Sequence, residues 1–569
     1  MQSTNTPVSS PVISFSRLSL TWPDGTPCFR DVSGSFSAPL TGLIGDNGTG
    51  KSSLIRILAG HLAPTSGEVR TPELVGYLPQ DLGLQTSTTI ADVFDVSAQL
   101  EALAAIEQGS VDAQDFDLVD EDWDVAERIV RLLADAGFAP AADVPADHAA
   151  DFLHRSIDTL SGGEAVIVAT TALLASRPDV LLLDEPTNNL DSEARSHLID
   201  ILTRSPVPVV VITHDREVLA QVDEVAELHG GQLRFFTGNY DAYSRAIAQE
   251  QLTAQRRVRD AKADHRAQLR EREAMQARVA RDQRRGKKFA ASKRKPGLAM
   301  GNDKDRSERS AADRTRSHND AVLRARGDMD RARDAVRADD AVYISLPETS
   351  LPSSTKVLEL SPLSTARPLT LAGPERLRLT GRNGAGKTTL LNAIAAEATG
   401  ETSETVGPVR HYDVAYALAD VGYVRQRIEL DDDRTVLETV AAANPSASDQ
   451  ELRDQLAQLL FQKNEVNARI GDLSGGERFR VECARILLRE PAPKLLLLDE
   501  PTNDLDLATA EWLVSVLNRF EGALIIVSHD EHFCARIGID TILPLERGRN
   551  APAGSSTTVT TTEKSTPGR

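Results

Sequence analysis

The chain has 569 residues, with 64 Lys and Arg against 84 Asp and Glu, and a formal net charge of −20. This length accommodates two or three domains, and no apolar run approaches the roughly 20 residues needed to cross a bilayer. The first residues lack the charged and apolar regions of a signal peptide, so we expect a soluble, cytoplasmic protein. The cysteines, Cys28, Cys483 and Cys534, are too widely spaced for a disulfide framework or a zinc site.

A glycine-rich loop follows the apolar segment 41–44 and precedes a helical pattern. It fits the phosphate-binding pattern of glycine, four residues, glycine, lysine, then serine or threonine. The glycines let backbone N–H groups point at phosphate oxygens beside the positive end of the helix. We expect Lys51 to reach the β- and γ-phosphates and Ser52 to bind Mg²⁺. The residues assigned to the nucleotide are Gly45, Asp46, Asn47, Gly48, Thr49, Gly50, Lys51, Ser52 and Ser53.

An acidic pair follows an apolar run at 179–183, which predicts a buried parallel strand. The pair lies at the carboxyl end of the strand, where open α/β sheets place their ligands. We expect Asp184 to hold Mg²⁺ and Glu185 to polarise the attacking water. A further apolar strand ends at His214, which we interpret as a sensor of the γ-phosphate.

A long helical connector is predicted at 241–340. Between 241 and 285 there is no Gly or Pro, and Ala, Gln, Glu and Arg dominate, which is helix-forming composition. We expect Gly286 to break this helix, 287–300 to form a basic turn, and a second helix to follow from about 303 to 340.

Positive charge is concentrated in this connector. Residues 251–340 contain 26 Lys and Arg against 15 Asp and Glu, a net charge of +11, which leaves the remainder at −31. Segment 281–295 alone holds eight basic residues and one acid. A solvated spacer is the simpler interpretation, but the clustering of charge at the turn favours binding to nucleic acid phosphates.

The same motifs then recur in the same order. Asp499 and Glu500 end a second apolar strand, and His529 ends a third. The two glutamines that follow comparable strands, Gln80 and Gln426, are assigned to the metal sites with Ser52, Thr388 and the two aspartates. The second set of nucleotide residues is Gly381, Arg382, Asn383, Gly384, Ala385, Gly386, Lys387, Thr388 and Thr389.

Leu-Ser-Gly-Gly-Glu precedes each acidic pair, at 160–164 and 473–477. With these signatures the chain resembles the ATP-binding cassette superfamily. The resemblance implies an α/β fold, with two P-loop cassettes joined by a long helical hairpin. The expected domains are a first cassette at 1–240, a linker at 241–340, a second cassette at 341–549 and a disordered Ser/Thr-rich tail at 550–569.

The resemblance also implies a head-to-tail sandwich, in which each ATP lies between the phosphate loop of one half and the signature of the other. Closing a helix N-terminus over the γ-phosphate excludes water and completes the site. Trp22 is positioned to stack on the first adenine, whereas Tyr343 is a weak candidate for the second. The signature residues assigned to the nucleotides are Ser161, Gly162, Gly163, Ser474, Gly475 and Gly476.

The finer resemblance is to the ABC-F proteins, on the paired cassettes, the charged linker and the strings that begin at Asp184 and Asp499. It implies an ATPase that acts on the ribosome as a translation factor or antibiotic-resistance protector, with linker 281–300 near rRNA and the peptidyl-site tRNA. The alternatives are the ATP-binding subunit of a transporter with separate membrane partners, and a DNA-handling cassette ATPase.

The first signature is followed by apolar residues, Ala165 to Val168, where cassettes usually place polar and basic ones, whereas Arg478 and Arg480 follow the second. Because the first signature caps the second site, we expect the two sites to be unequal.

Overall fold

A computed structural model of the chain describes residues 13–23, 25–80, 88–120, 122–188, 190–291, 316–333, 346, 349–363, 368–382, 384–400, 412–459, 461, 465–503, 505–545 and 560–561. The chain divides into two compact units, with boundaries between Tyr240 and Asp241 and between Ala341 and Val342. One unit contains both sets of ATP-binding motifs, and the other is the connector.

The described residues of the first half form nine strands in two sheets. A three-stranded antiparallel sheet has the order β2-β1-β4, and a six-stranded sheet has the order β5-β6-β7-β3-β8-β9 and is parallel except at β9. The strands are β1 Ile13–Thr21, β2 Pro27–Phe36, β3 Leu40–Ile44, β4 Ser66–Arg70, β5 Val75–Leu78, β6 Val180–Asp184, β7 Val209–Ile212, β8 Glu224–His229 and β9 Gln232–Thr237.

The helices of the first half cover the sheet and form a separate helical layer with its own core around Ile129 and Leu133. They are α1 Lys51–Leu58, α2 Ile90–Val93, α3 Ser97–Glu107, α4 Ala113–Val119, α5 Val125–Asp135, α6 Ala149–Leu153, α7 Gly162–Ala175, α8 Ser192–Thr203 and α9 Arg216–Leu219.

The connector unit contains two helices in its described part, α10 Tyr240–Ala291 and α11 at 316–333. The predicted break at Gly286 is wrong, because α10 continues through it to Ala291. A single glycine costs a helix about 1 kcal/mol relative to alanine, and its neighbours are strong helix formers. The part of the predicted turn at 292–300, with Lys293, Arg294 and Lys295, lies outside the described residues.

The second half repeats the first, with an antiparallel sheet of order β11-β10-β13 and a larger sheet of order β14-β15-β16-β12-β17-β18. Its strands are β10 Lys356–Pro362, β11 Leu369–Ala372, β12 Arg376–Thr380, β13 Tyr412–Ala417, β14 Val421–Val424, β15 Leu495–Asp499, β16 Ala523–Val527, β17 Thr541–Pro544 and β18 Thr560–Thr561. Its helices are α12 Lys387–Thr399, α13 Val436–Ala443, α14 Asp449–Gln458, α15 Gly475–Leu487, α16 Leu507–Leu517 and α17 Glu531–Ile537.

Strand β18 lies in the tail that we expected to be disordered, and its two residues pair antiparallel with β17. These two positions of the tail are therefore paired and not disordered. The edge of β17 has unpaired backbone groups, which can pair with an extended segment.

Strand order and register place the predicted motifs at the carboxyl ends of neighbouring strands in each large sheet. The phosphate-loop strand has the aspartate strand two places away, with the strand that precedes the histidine between them. Asp184 is in register with Ile212, and Asp499 with Val527. Because β6 and β15 are buried along their whole length, both faces of these strands are covered, as in an α/β domain.

Candidate nucleotide sites

The two phosphate loops end in helices whose first residues are the predicted lysines, Lys51 and Lys387. Both loops begin with a glycine that no other residue could replace. A Cβ on Gly45 would lie 2.3 Å from the carbonyl oxygen of Leu228, and one on Gly381 would lie 2.4 Å from that of Leu545. The loops therefore pack tightly on the end of the neighbouring strand, with the helix N-termini open to an anion.

The two lysines are buried, and their ammonium groups bond back to the loops. Lys51 Nζ donates to the carbonyl oxygens of Gly45 at 2.6 Å and Asp46 at 3.0 Å. Lys387 Nζ donates to the carbonyl of Gly381 at 2.6 Å. Burial lowers the pKa of both lysines, and nearby carboxylates, Glu185 and Glu500 foremost, oppose this effect. These ammonium groups lie where the loops would hold phosphate oxygens.

Hydroxyl and carboxylate oxygens meet at both predicted metal positions. Ser52 Oγ donates to Asp184 Oδ1 at 3.0 Å, and burial raises the pKa of Asp184. Both carboxylate oxygens of Asp499 are buried without a hydrogen bond of ordinary geometry among the described residues. Such oxygens are costly to bury unless a cation or donor joins them, and this donor set suits Mg²⁺.

The two glutamates that follow the aspartates have strained backbones. Glu185 has a φ of 49° and Glu500 a φ of 47°, in the left-handed region that disfavours residues with a side chain. Such strain concentrates at functional sites, where surrounding structure holds it in place. With this backbone conformation each glutamate side chain lies beside a histidine. Glu185 Oε1 is 3.2 Å from His214 Nε2, and Glu500 Oε1 is 3.3 Å from His529 Nε2.

Both histidines are neutral at physiological pH. Burial, together with Lys51, lowers the pKa of His214 to about 3, and burial with Lys387 lowers that of His529 to about 4. Burial also raises the pKa of Glu500 to about 7. The contact of His214 with Glu185 lacks hydrogen-bond geometry, and neither ring nitrogen has another hydrogen-bond partner among the described residues, so the ring can bond to an added phosphate oxygen.

The signature sequences start helices α7 and α15 through a capping box. Ser161 Oγ accepts from the backbone of Glu164, whose carboxylate accepts in turn from the backbone of Ser161. Ser474 and Glu477 make the same pair of contacts. We did not predict this role for the two glutamates, although serine followed three residues later by glutamate is its sequence signal.

Contacts between the two halves build the first site. The backbone N–H of Asn47 donates to Asp506 Oδ2 in the other half at 3.0 Å. A Cβ placed on Gly476, in the second signature, would lie 3.9 Å from Asn47 Nδ2. The second signature and the loop before α16 thus lie against the first phosphate loop.

The second site is a cavity of about 370 Å³ that both halves line. Leu190 comes from the first half, and Arg382 at the edge of the loop pairs with Glu193 of the first half at 2.8 Å. The lining residues are Leu190, Gly384, Ala385, Gly386, Lys387, Thr388, Thr389, Gln426, Asp499, Glu500, Asn503, Val527 and His529.

A model of the ABC transporter family matches residues 30–188 and 367–503. The chain is 35% identical over 528 residues to the tylosin resistance ATP-binding protein TlrC of Streptomyces fradiae, covering 87% of this chain and 90% of that protein. It is 28% identical over 539 residues to the ABC transporter F family member 5 of Arabidopsis thaliana, covering 89% and 71%. This chain is an ABC-F protein.

A further relative is the energy-dependent translational throttle protein EttA of Escherichia coli, 30% identical over 529 residues, with 88% of the ABC-F chain and 86% of EttA covered. None of the helices in the described part of the ABC-F chain is long and apolar enough to cross a membrane. The predicted fold of two ATP-binding cassettes with a long helix between them is confirmed.

The predicted adenine positions of this ABC-F chain carry different residues. Trp22 follows β1 and is 39% exposed, as a stacking platform requires. The corresponding place after β10 holds Leu363, which is 65% exposed, while Tyr343 lies outside the described residues.

The remaining predicted site residues lie in or next to the loops. The exposed Gln80 and Gln426 follow β5 and β14, and Ser53 is buried within reach of the Cys28 thiol. Asn383 lies outside the described residues.

The apolar residues after the first signature are part of the core. Ala165, Ile167 and Val168 pack in the helical layer of the first cassette. In the second cassette Arg478 pairs with Asp432 at 2.6 Å instead. This departure is therefore a difference in packing. The inequality of the sites stays a prediction, which depends on Trp22 against Leu363 and on Asp46 and Arg382, the residues at equivalent positions of the two loops.

Proposed function

We propose that this protein is an Mg²⁺-dependent ATPase with two composite sites, acting on the ribosome as a translation factor or as an antibiotic-resistance ribosome protection protein. The observation that carries the two-site part is the hydrogen bond from Asn47 to Asp506, which seats one cassette on the phosphate loop of the other. The ribosomal part is supported by the relatives named for tylosin resistance and for translational throttling.

Some residues of each site bind the phosphates, and others take part in proton transfer during hydrolysis. Each lysine and its loop amides neutralise the β- and γ-phosphates, while the opposite signature helix closes over them and excludes water. Glu185 and Glu500 accept the proton of the attacking water as it adds to the γ-phosphorus and ADP leaves. Because His214 and His529 are neutral, each ring carries a single N–H, which it can donate to a γ-phosphate oxygen.

Mg²⁺ would be held by Ser52 and Asp184 in one site and by Thr388 and Asp499 in the other, with Gln80 and Gln426 completing the sets. When bound, the ion offsets charge on the phosphate oxygens. The two buried oxygens of Asp499, which have no hydrogen bond of ordinary geometry among the described residues, support this assignment.

The connector is the part we propose for the ribosome. Arg284, Arg285 and Lys288 of α10 are exposed near the end of the described helix, and segment 281–295 has eight basic residues and one acid. Such a segment binds phosphates in a salt-dependent way. We therefore propose that linker 281–300 contacts rRNA and peptidyl-site tRNA in the cytoplasm. This requires no transmembrane partner.

The test is sedimentation of the Glu185→Gln/Glu500→Gln variant through a sucrose gradient with ribosomes and ATP, followed by imaging of the complex. We expect co-sedimentation with ATP and its loss without nucleotide. The matched control adds Lys51→Ala and Lys387→Ala, which remove phosphate binding and should abolish ATP-dependent co-sedimentation. A trapped variant that retains ATP yet never sediments with ribosomes would refute the ribosomal part and leave the ATPase part standing.

A further inference from the structure

A single buried arginine of the first cassette contacts the histidine loops of both sites. Arg195, on α8, is 9% exposed. Its Nη1 donates to the carbonyl oxygen of His529 in the second cassette at 2.8 Å, and its Nε lies 2.8 Å from Asp215 Oδ2 in the first. Asp215 directly follows His214. One guanidinium therefore joins the loop that carries His214 to the loop that carries His529.

The second cassette has no counterpart to this arginine. Asp191 and Asp506 are equivalent caps of α8 and α16, each accepting from the backbone N–H three residues on, at 3.0 and 2.8 Å. Arg195 follows Asp191 by four residues, and the residue four after Asp506 is Ala510. The site built on Lys387 thus receives a guanidinium from the opposite cassette, whereas the equivalent position facing the first site carries a methyl group.

The geometry of the contact requires arginine. Nη1 of the guanidinium donates to the His529 carbonyl, while Nε lies beside Asp215 as an ion pair without a hydrogen bond among the described residues. A planar, delocalised guanidinium spans these two partners, whereas a lysine ammonium is a single point charge. Burial raises the pKa of Asp215, and Arg195 opposes this effect. A second contact between the two cassettes is the ion pair of Arg216, which follows Asp215 at the start of α9, with Glu511 on α16.

We propose that Arg195 is a positioning residue for the second ATP site, supplied in trans by the first cassette. The proposal rests on the two-site ATPase proposed above. Arg195 does not touch the nucleotide. It fixes the backbone of His529, whose ring meets the γ-phosphate, and through Asp215 it makes that position depend on the loop of the first site. Turnover at the second site then responds to the state of the first site. The equivalent residue of the second cassette, Ala510, provides no such coupling in the reverse direction.

The test compares Arg195→Met in two parents, Glu185→Gln, which leaves the second site competent, and Glu500→Gln, which leaves the first. A hydrogen bond involving a charged group is worth enough to change a rate constant about 10-fold. We expect kcat to fall about 10-fold in the Glu185→Gln parent with KM changed less than about 2-fold, and kcat to change less than about 2-fold in the Glu500→Gln parent. Equal losses in both parents, a change in KM alone or no change would overturn the proposal.

Two controls separate positioning from folding. Arg204→Met removes an exposed arginine at the end of the same helix, whose side chain is 78% exposed, and should change neither parent. Arg195→Met/Asp215→Asn removes the buried carboxylate that the single substitution leaves unpaired, and the Asn still caps α9. The kcat loss should persist in this double variant, whose thermal unfolding should match the parent. Recovery of kcat would show that the stranded charge was the cause and would overturn the proposal.

Hydrogen exchange provides a readout that does not depend on turnover. In Arg195→Met, amides 528–532 should exchange faster while those of the first phosphate loop do not. If the unsubstituted chain fails to hydrolyse ATP, the proposed function fails, and exchange at 528–532 still decides the role of Arg195. Unchanged exchange there would overturn it.

Discussion

Asp506 offers the most direct test of contact between the cassettes. It is 8% exposed, with Oδ2 accepting from Asn47 across the interface and Oδ1 accepting from Thr509 at the start of α16. Although burial acts to raise it, these hydrogen bonds hold the pKa of Asp506 below its ordinary value. The carboxylate is therefore charged at neutral pH. Asp506→Ala removes both contacts, whereas Asp506→Asn removes the charge and keeps one oxygen acceptor, enough for one of the two N–H groups.

The two lost contacts act on different quantities. Loss of an N-cap costs about 1 kcal/mol of fold stability, and loss of a charge-assisted hydrogen bond costs about 1.5–3 kcal/mol. Since the bond to Asn47 forms between cassettes, this second amount falls on the closed state. At 1.36 kcal/mol per factor of ten, closure should weaken by about 10- to 150-fold in Asp506→Ala and by a smaller factor in Asp506→Asn.

The assay is the release of labelled ATP during a chase, in the Glu185→Gln/Glu500→Gln background. Release from Asp506→Ala should be faster by about the same factor. The control is Asp112→Ala, which removes another N-cap, that of α4, away from either phosphate loop. Equal release rates for Asp506→Ala, Asp112→Ala and the parent would refute the reasoning that this hydrogen bond holds the sandwich closed.

Four other outcomes are expected. Glu185→Gln/Glu500→Gln should bind ATP but hydrolyse it about 100-fold or more slowly, as for loss of a general base, and normal turnover by rapid phosphate release would contradict the roles of both glutamates. In Glu185→Gln alone, turnover should rise with pH through about 7, since burial raises the pKa of Glu500 to about 7 and its carboxylate form accepts the proton; a profile flat from pH 6 to 8 would contradict this. Arg284→Glu/Arg285→Glu should weaken ribosome co-sedimentation and flatten its salt dependence, and Trp22→Ala should raise KM in Glu500→Gln about 10-fold through lost stacking.

The sequence predicted the strands and loops that carry the chemistry because their signals are local. The phosphate loops depend on glycine spacing, and β6 and β15 are continuous apolar runs that end in acids. Their order along the chain, together with the rule that ligands bind at the carboxyl ends of parallel strands, sufficed to place Asp184 and Asp499. The capping boxes at Ser161 and Ser474 carry an equally local signal that we did not use.

What the sequence did not predict depends on distant neighbours or on weak local terms. Arg195 looks like any helical arginine until the fold brings His529, 334 positions away, to its guanidinium. The positive φ of the glutamates is imposed by the strand ends around them, which no local pattern reports. Gly286 was overvalued as a helix breaker because its cost of about 1 kcal/mol is small beside that of a proline.

The left-handed backbone at Glu185 and Glu500 lowers the stability of the fold, whereas the glutamate side chains at these positions are needed for the proposed activity. Glycine adopts this conformation without the penalty of a Cβ, so Glu185→Gly or Glu500→Gly would relieve a cost of order 1–3 kcal/mol. A library of variants sorted only for resistance to heat or proteolysis would therefore enrich glycine at these two positions and discard the proposed general bases. Sorting for turnover would keep glutamate. The two selections would thus favour different residues at positions 185 and 500, and this difference would identify the catalytic positions without any prior assignment.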